Sequence, residues 1–141
     1  MKVKLDRGAY MPERAHPTDA GMDLRTPKAV YLAPNSSPNS SVIIDTGVHI
    51  ELPHGYFGKI ESKSGLNTKY GIVSLGGVID EGYTGSIVVK IYNMSESGYL
   101  FDKGDKIAQL IIQPYFAPEL EQVKKLEKTD RGDAGFGSTG R

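Results

Sequence analysis

The sequence has no cysteine and no tryptophan among its 141 residues. The absence of cysteine excludes a disulfide framework, an iron–sulfur cluster and a thiolate zinc site. Seventeen Lys and Arg balance seventeen Asp and Glu, so the chain lacks the overall basic charge of a duplex nucleic-acid binder. No apolar run approaches the ~20 residues of a membrane span, and residues 1–7 do not resemble a signal peptide. We therefore expect a soluble protein of the cytoplasm (the host cytoplasm if it is viral) that binds neither membranes nor nucleic acid directly.

A length of 141 residues predicts a single domain, because domains usually hold ~100–200 residues. Seventeen Gly and eight Pro are spread from end to end, which is typical of many short elements. Alternating and β-branched residues predict strands over residues 29–32, 42–44, 47–52, 56–60, 86–93 and 106–115. Strands this short and this closely spaced favour a compact all-β sandwich or barrel.

Two segments could form a helix. Residues 64–70 could make one or two turns, with Ser64 as the N-cap. Residues 119–126 place three apolar residues three positions apart, but they could equally form a strand with a polar face, which we favour. We expect at most one short helix.

Residues 130–141 hold four glycines, one aromatic residue and almost nothing that could enter a core. The Gly-x-Gly-x-x-Gly pattern that ends at Gly140 is not expected to open a helix after a strand, and no lysine follows it, so it predicts neither a dinucleotide fingerprint nor a Walker A loop. Successive N–H groups and hydroxyls could still wrap phosphate oxygens, an arginine could clamp them, and a ring could cover a base. The candidates are Arg131, Phe136, Gly137, Ser138 and Thr139. The alternative is a disordered tail without function.

Residues 76–85 (GGVIDEGYTG) place two carboxylates between strand-like residues and a glycine-rich turn. The simpler interpretation is a β-hairpin with a return strand from Ser86, in which Asp80 and Glu81 are solvated turn residues. The functional alternative makes Asp80 a general base at the mouth of the hairpin, with Tyr83 packed beside it and two apolar neighbours that exclude water.

Five segments resemble, in order, the five motifs of the trimeric dUTP pyrophosphatases (dUTPases). They are AGMDL at 20–24, KSGL at 63–66, GVIDEGYTG at 77–85, GDKIAQL at 104–110 and RGDAGFGSTG at 131–140. The resemblance covers nearly the whole chain as a single dUTPase domain. It implies an all-β, jelly-roll-like subunit of a homotrimer that hydrolyses dUTP to dUMP and pyrophosphate. This reaction limits uracil incorporation into DNA and supplies dUMP for dTMP synthesis.

By resemblance, Asp80 is the catalytic base, which orients and deprotonates the water that attacks the α-phosphorus. A triphosphate brings roughly four negative charges to the protein, so Mg²⁺ is expected to clamp the phosphates. In the family the metal is held chiefly by phosphates and waters, and Asp23 would contact it through water. The alternative interpretation of Asp23 is an exposed acid in a loop.

The resemblance also implies contacts to the phosphate chain. Lys63, Ser64 and Gly65 would meet the phosphates, and Gln109 would donate to a phosphate oxygen unless it is only an exposed strand amide. Many family members carry arginine where this chain has Lys63, and lysine lacks the planar, two-pronged contact of a guanidinium.

Selectivity for deoxyuridine is implied for the 77–85 segment and its return strand. Fixed backbone groups there would tell uracil from cytosine, since a site built for one hydrogen-bond pattern leaves buried groups unpaired when offered the other. The residues concerned are Gly77, Val78, Ile79 and Val88. Tyr83 would lie under the sugar and exclude a 2′-hydroxyl. Ser74 stands where many relatives carry asparagine, so it can keep only part of that amide's hydrogen bonding.

In the family each active site is built from three chains. Residues 130–141 would therefore form a flexible, glycine-rich arm that closes over the site of a neighbouring subunit, with Phe136 stacked on the uracil.

Two alternatives remain open at this point. A dCTP deaminase-like enzyme would share the fold, but it needs a proton-shuttling group at the base ring, and the complete glycine-rich tail favours hydrolysis. A regulatory dUTPase that binds a protein partner is the other alternative, and the sequence does not identify such a partner.

Overall fold

A computed structural model of the chain describes residues 1–75 and 77–134. Within these residues there are eleven strands and one short helix. The strands are β1 Lys2–Leu5, β2 Gly21–Arg25, β3 Val30–Leu32, β4 Ser41–Asp45, β5 Val48–Glu51, β6 Tyr56–Glu61, β7 Ile72–Ser74, β8 Val78–Ile79, β9 Val88–Asn93, β10 Tyr99–Phe101 and β11 Lys106–Pro114, and the helix is α1 Ser64–Tyr70. The expected all-β subunit with at most one short helix is confirmed.

Across the described residues, the strands form four antiparallel sheets. The largest sheet has the order β2-β11-β6-β8 and the next has the order β4-β9-β7, while β1 pairs with β5 and β3 pairs with β10. Gln109, at the middle of β11, lies opposite Asp23 of β2 on one side and opposite Glu61 of β6 on the other. β8 is an edge strand, so its edge away from β6 has no partner strand among the described residues.

The buried side chains of all these sheets form one hydrophobic cluster. In most strands its members come from alternate positions, since successive side chains point to opposite faces. In β9, for example, Val89, Ile91 and Asn93 are buried and the residues between them are not. In β11 the adjacent residues Ile107 and Ala108 are both buried, where the pairing with β2 shifts register. This cluster fixes the strand ends on which the candidate site lies.

The helix α1 begins at Ser64, and its N-cap is Lys63, which makes no capping hydrogen bond through its side chain. The prediction that Ser64 caps the helix is therefore wrong by one residue. The helix ends at Gly71, where a left-handed backbone (φ 64°) lets the Gly71 N–H bond to the carbonyl of Asn67. In the part of the chain that the structure describes, no helix has the length and apolar character that crossing a bilayer requires.

Residues 119–126 are neither strand nor helix, so the strand prediction is wrong. The apolar side chains in and before this segment lie outside the core: Phe116 is 87% exposed, Leu120 is 95% exposed and Leu126 is 79% exposed. Apolar residues that contact no core of their own cannot hold the segment in a strand or a helix, because most such stability comes from tertiary packing.

The predicted hairpin pairing around Asp80 is also wrong. β8 pairs with β6, whereas β9 pairs with β4 and β7. The strands before and after the 80–86 segment therefore lie in different sheets, and the segment crosses between them. Its turn is retained, because the Tyr83 N–H donates to the Asp80 carbonyl over 3.1 Å.

Candidate active site

A cleft opens where β8 and β9 separate into their two sheets. It has a volume of about 210 Å³, and three of the residues predicted to bind the substrate line it, namely Ser74, Gly77 and Val88. Drug-sized ligands occupy pockets of ~300–1,000 Å³, so this cleft suits a single base rather than a whole nucleotide. We call it the base cleft.

Gly77 is required at the floor of the base cleft. Its φ of 106° lies in the region that side chains avoid, and a Cβ atom there would lie 2.6 Å from the Cβ of Ile60. The Gly77 carbonyl instead accepts a hydrogen bond from the Ile60 N–H over 2.8 Å. This hydrogen bond continues the pairing of β8 with β6 as far as Gly77, which lines the cleft.

Asp80 follows β8 directly and is exposed. With Phe57, Val78 and Tyr115 it lines a second cleft of about 340 Å³. Val78 is 62% exposed while Ile79 is buried, so Val78 alone of the two apolar neighbours borders the Asp80 side chain. Among the described residues, the Asp80 carboxylate has no hydrogen-bond partner and remains available to a ligand or a water.

Glu81, next to Asp80, is not the solvated turn residue of the simpler interpretation. Its Oε1 accepts from Nδ1 of His54 over 2.7 Å. Its Oε2 accepts from the Gly55 N–H and from the Tyr115 hydroxyl, both over 2.8 Å. These hydrogen bonds, from His54 first, then Gly55 and Tyr115, lower the pKa of Glu81 to about 2. The sequence carries no local signal of these contacts.

Tyr83 is held against the backbone of its own loop. Its hydroxyl donates to the Ser86 carbonyl over 3.0 Å, and the ring passes over Gly85. On the outer side of the loop, Nδ1 of His49 donates to the Thr84 carbonyl over 2.8 Å. The predicted sugar-binding side chain therefore has a fixed orientation before any ligand binds.

A second group of predicted residues surrounds Asp23. The Asp23 side chain is only 9% exposed; its Oδ1 accepts from Lys63, and its Oδ2 accepts from Lys106 over 2.5 Å. Burial raises the pKa of Asp23, but hydrogen bonds from Lys106 and Lys63 outweigh burial and leave the pKa below its usual value. The alternative interpretation of Asp23 as an exposed loop acid is therefore wrong. Lys106 was not among the predicted site residues.

Gln109 lies opposite Asp23 in the pairing of β11 with β2 and is linked to the base cleft through Ser62. Its side-chain amide donates to the Ser62 carbonyl over 3.1 Å, and the Ser62 hydroxyl lies 3.2 Å from that of Ser74. Gln109 is half-buried, so it is not merely an exposed amide on a strand. A chain of hydrogen bonds thus links the predicted phosphate-binding and base-binding residues.

The side chains that the structure describes offer Mg²⁺ no inner coordination sphere. In the described part of the chain, no group of three or more His, Cys, Asp or Glu residues could hold a metal. Both oxygens of Asp23 already accept from ammonium groups. What fits is an ion held by phosphate oxygens and water, with Asp23 as an outer acceptor through its remaining lone pairs.

The remaining predicted residues lie outside the hydrogen-bonded groups described above. Ser64 and Gly65 are exposed at the start of α1, next to Lys63. Arg131 is exposed and donates from Nε to the Ala134 carbonyl over 3.1 Å. Four candidates lie outside the described residues: Phe136, Gly137, Ser138 and Thr139. No hydrogen bond or ion pair within residues 1–75 and 77–134 joins Asp80 to Lys63 or to Arg131.

Comparison with known proteins places this geometry in one family. The sequence model of the dUTPase family matches residues 7–140. The deoxyuridine 5′-triphosphate nucleotidohydrolase of Paramecium bursaria Chlorella virus 1 is 40% identical over 137 residues, which cover 97% of this chain and 94% of the viral protein. The enzyme of the same name from Clostridium tetani is 40% identical over 144 residues, which cover 100% and 97% of the two chains.

Solved structures agree with the sequence comparison. The dUTPase of Staphylococcus bacteriophage 80alpha with dUpNHpp superposes with a TM-score of 0.91 and is 36% identical, over 99% of this chain and 98% of that chain. A variant dUTPase of S. aureus phage phi11, described with a structural Mg(II) ion, has a TM-score of 0.80 and is 33% identical, over 90% and 98% of the two chains. Sequence and fold agree over almost the entire length, and the chain belongs to the dUTPase family.

Proposed function

We propose that this protein hydrolyses dUTP to dUMP and pyrophosphate, with Asp80 as the general base. The observation that carries the proposal is the position of Asp80, exposed and without a partner among the described residues, directly after β8, where it lines the second cleft. The carboxylate would take a proton from the water that attacks the α-phosphorus. A positioned base typically contributes ~10²–10⁴ in rate.

Selectivity would arise at the unpaired edge of β8. Gly77 lines the base cleft, and the peptide groups of Gly77, Val78 and Ile79 would face the base. They cannot rotate to suit another base, because Ile79 is in the core and Gly77 is hydrogen-bonded to Ile60. A cytosine ring has a different pattern of hydrogen-bond donors and acceptors and would leave these peptide groups unpaired, which can contribute ~10⁴–10⁵ to discrimination. Val88 and Ser74 close the opposite side of the cleft.

The triphosphate would extend towards the Asp23 group. Lys63 and Lys106 bring two ammonium groups to one carboxylate, so this group retains a net positive charge that attracts phosphate. Ser64, Gly65 and Gln109 would add hydrogen-bond donors. Mg²⁺, with Asp23 as an acceptor through water, would neutralise much of the remaining phosphate charge.

We also propose that the active unit is a homotrimer with shared sites. The exposed apolar side chains of Phe116, Leu120 and Leu126 would be buried by packing on a second subunit. Residues 130–141 would then reach the neighbour's site, where Arg131, Phe136, Gly137, Ser138 and Thr139 close over the nucleotide.

Light scattering should give the mass of three chains. Deleting residues 132–141 should preserve that mass while abolishing most turnover, whereas a truncated monomer would make the tail structural.

The proposal is tested by measuring pyrophosphate release from dUTP, dTTP, dCTP and UTP, with and without Mg²⁺. We expect release from dUTP alone among the four and a strong dependence on Mg²⁺. Ammonia release from dCTP would instead identify a deaminase of the same fold. Equal release from dUTP and UTP would contradict the role given to Tyr83.

A further inference from the structure

We infer that Glu81 is a positioning residue that fixes Asp80 for the reaction, an inference that rests on the proposed function of Asp80. Glu81 lines the second cleft beside Asp80, but both oxygens of its carboxylate accept hydrogen bonds. It ties the loop that carries Asp80 to two other segments of the chain, the 53–55 loop and the end of β11.

Three donors form hydrogen bonds to the Glu81 carboxylate. His54 and Gly55 precede β6, and Tyr115 follows β11, so donors 26 to 34 residues away in the sequence meet the two oxygens of Glu81. The Glu81 side chain is 26% exposed, whereas that of His54 is 97% exposed. Because solvent competes strongly with an exposed partner, the Gly55 and Tyr115 contacts carry most of the restraint.

The segments that hold Glu81 are themselves joined. The Tyr115 N–H donates to the Gly55 carbonyl over 3.0 Å. The ring of Tyr115 also packs edge-on against that of Phe57 of β6, with the ring centroids 6.5 Å apart. Glu81 is therefore bonded to two segments that also contact each other, rather than to a free loop.

Asp80 has no such attachment of its own. The residue before it, Ile79, lies in the ladder opposite Gly58, and the residue after it is Glu81. The Asp80 carboxylate has no hydrogen-bond partner in the described chain, so the backbone on either side determines where it points. The ladder fixes the preceding side and Glu81 fixes the following side.

The two adjacent carboxylates thus have separate tasks. Glu81 is surrounded by donors that favour its charged form, and a pKa of about 2 makes it a poor proton acceptor near neutral pH. Asp80 faces the cleft without a partner among the described residues and can accept the proton of a water. The local sequence Asp-Glu does not reveal this division, since it depends on donors that only the fold brings together.

The test compares Glu81→Gln and Tyr115→Phe with Glu96→Gln, an exposed glutamate in a different loop. Glutamine keeps the size of Glu81 but presents an NH₂ group to a donor. We expect kcat for dUTP to fall by about 10²-fold in Glu81→Gln, since a displacement near 1 Å can cost that much. Tyr115→Phe removes one of the three donors and should lower kcat by a smaller factor. Glu96→Gln should match the unmodified protein.

Four further readouts separate positioning from general damage. Binding of the non-hydrolysable analogue dUpNHpp and KM should stay within about threefold in Glu81→Gln, because the base cleft is not altered. The unfolding midpoint should change little, and amide hydrogen exchange at residues 81–84 should accelerate. Loss of analogue binding together with a collapsed midpoint would overturn positioning in favour of a structural role.

The outcomes for Glu81 and for the proposed function are distinguishable. If the unmodified protein hydrolyses dUTP, Asp80→Asn does not, and Glu81→Gln retains full kcat, only the inference about Glu81 is overturned. If the unmodified protein releases no pyrophosphate, the proposed function fails and the inference fails with it. A lowered kcat at constant KM and constant analogue affinity supports both.

Discussion

A methyl group on Gly85 would lie 2.4 Å from the hydroxyl oxygen of Tyr83 and 2.5 Å from its Cζ atom. The ring can therefore lie flat along this part of the loop only because residue 85 has no side chain. Its hydroxyl is then within 3.0 Å of the Ser86 carbonyl, to which it donates. The position of the Tyr83 ring therefore depends on Gly85 as well as on Tyr83 itself.

Gly85→Ala should weaken the discrimination between dUTP and UTP. The added methyl displaces the Tyr83 ring, and space opens where a 2′-hydroxyl would otherwise collide with it. We expect the ratio of kcat/KM for UTP to that for dUTP to rise by about tenfold or more, equivalent to ~1.4 kcal/mol. Steady-state kinetics with both nucleotides measure this ratio.

A double-mutant cycle provides the control for Gly85→Ala. In a Tyr83→Ala background, the same substitution has no ring to displace and should leave the ratio unchanged. If Gly85→Ala changes the ratio equally in both backgrounds, its effect does not pass through Tyr83.

Asp23→Asn should destabilise the protein. The variant leaves Lys63 and Lys106 facing each other across a neutral amide, without their shared counter-charge. We expect a loss of about 1–3 kcal/mol in the free energy of unfolding, less than for a fully buried pair because both lysines are partly exposed. Denaturant unfolding measures the loss.

The acid dependence of Asp23→Asn gives a second check. The pKa of Asp23 is lowered in the folded protein, so its stabilisation is present above the unfolded-state value of 3.8 and is lost as pH falls. The variant should therefore lose less stability than the unmodified protein on acidification. An identical loss of stability at acidic pH in the two proteins would contradict the role of the Asp23 carboxylate.

Stability should also decline on the alkaline side, through His49. Its Nδ1 donates to the Thr84 carbonyl and its Nε2 donates to the Asp6 carboxylate over 3.1 Å, and only an imidazolium can donate at both nitrogens. The Thr84 carbonyl first, and then Asp6, raise the pKa of His49 above 6.5. The stabilisation is therefore complete below about pH 6.5 and is lost as pH rises through the folded-state pKa.

Thermal unfolding of His49→Gln between about pH 6 and pH 9 measures this contribution. We expect the midpoint of the variant to depend less on pH than that of the unmodified protein. His54 also has a raised pKa, caused first by its hydrogen bond to Glu81, so both proteins should be compared in a His54→Gln background. If the thermal midpoints of the two proteins change with pH in parallel, the pH dependence does not come from His49.

The strand pattern could be predicted where residues alternate over several positions. Each of the six predicted segments contains a strand, and the ends differ by at most two residues. β2 was not predicted as a strand, because Gly21–Arg25 includes a glycine and two charged residues. It is a strand because it pairs with β11, more than eighty residues later, and Asp23 is neutralised there by two lysines. Such tertiary effects override local propensity.

The site could be predicted only as far as its motifs extend. Gly77, Ser74 and Val88 line one cleft, although β8 pairs with β6 rather than with β9, and their contacts to a base stay a prediction. The contacts of Glu81 could not be foreseen, because its donors lie 26, 27 and 34 residues away. Lys106 was missed for the same reason.

The central claim is tested most directly by the rate of pyrophosphate release from dUTP by the unmodified protein and by Asp80→Asn. We expect steady release by the unmodified protein and a fall in kcat of at least ~10²-fold in the variant. The affinity of the variant for dUpNHpp should remain within about tenfold, because asparagine keeps the shape of the side chain and the base cleft is unchanged. An Asp80→Asn variant that releases pyrophosphate at the unmodified rate would contradict the account.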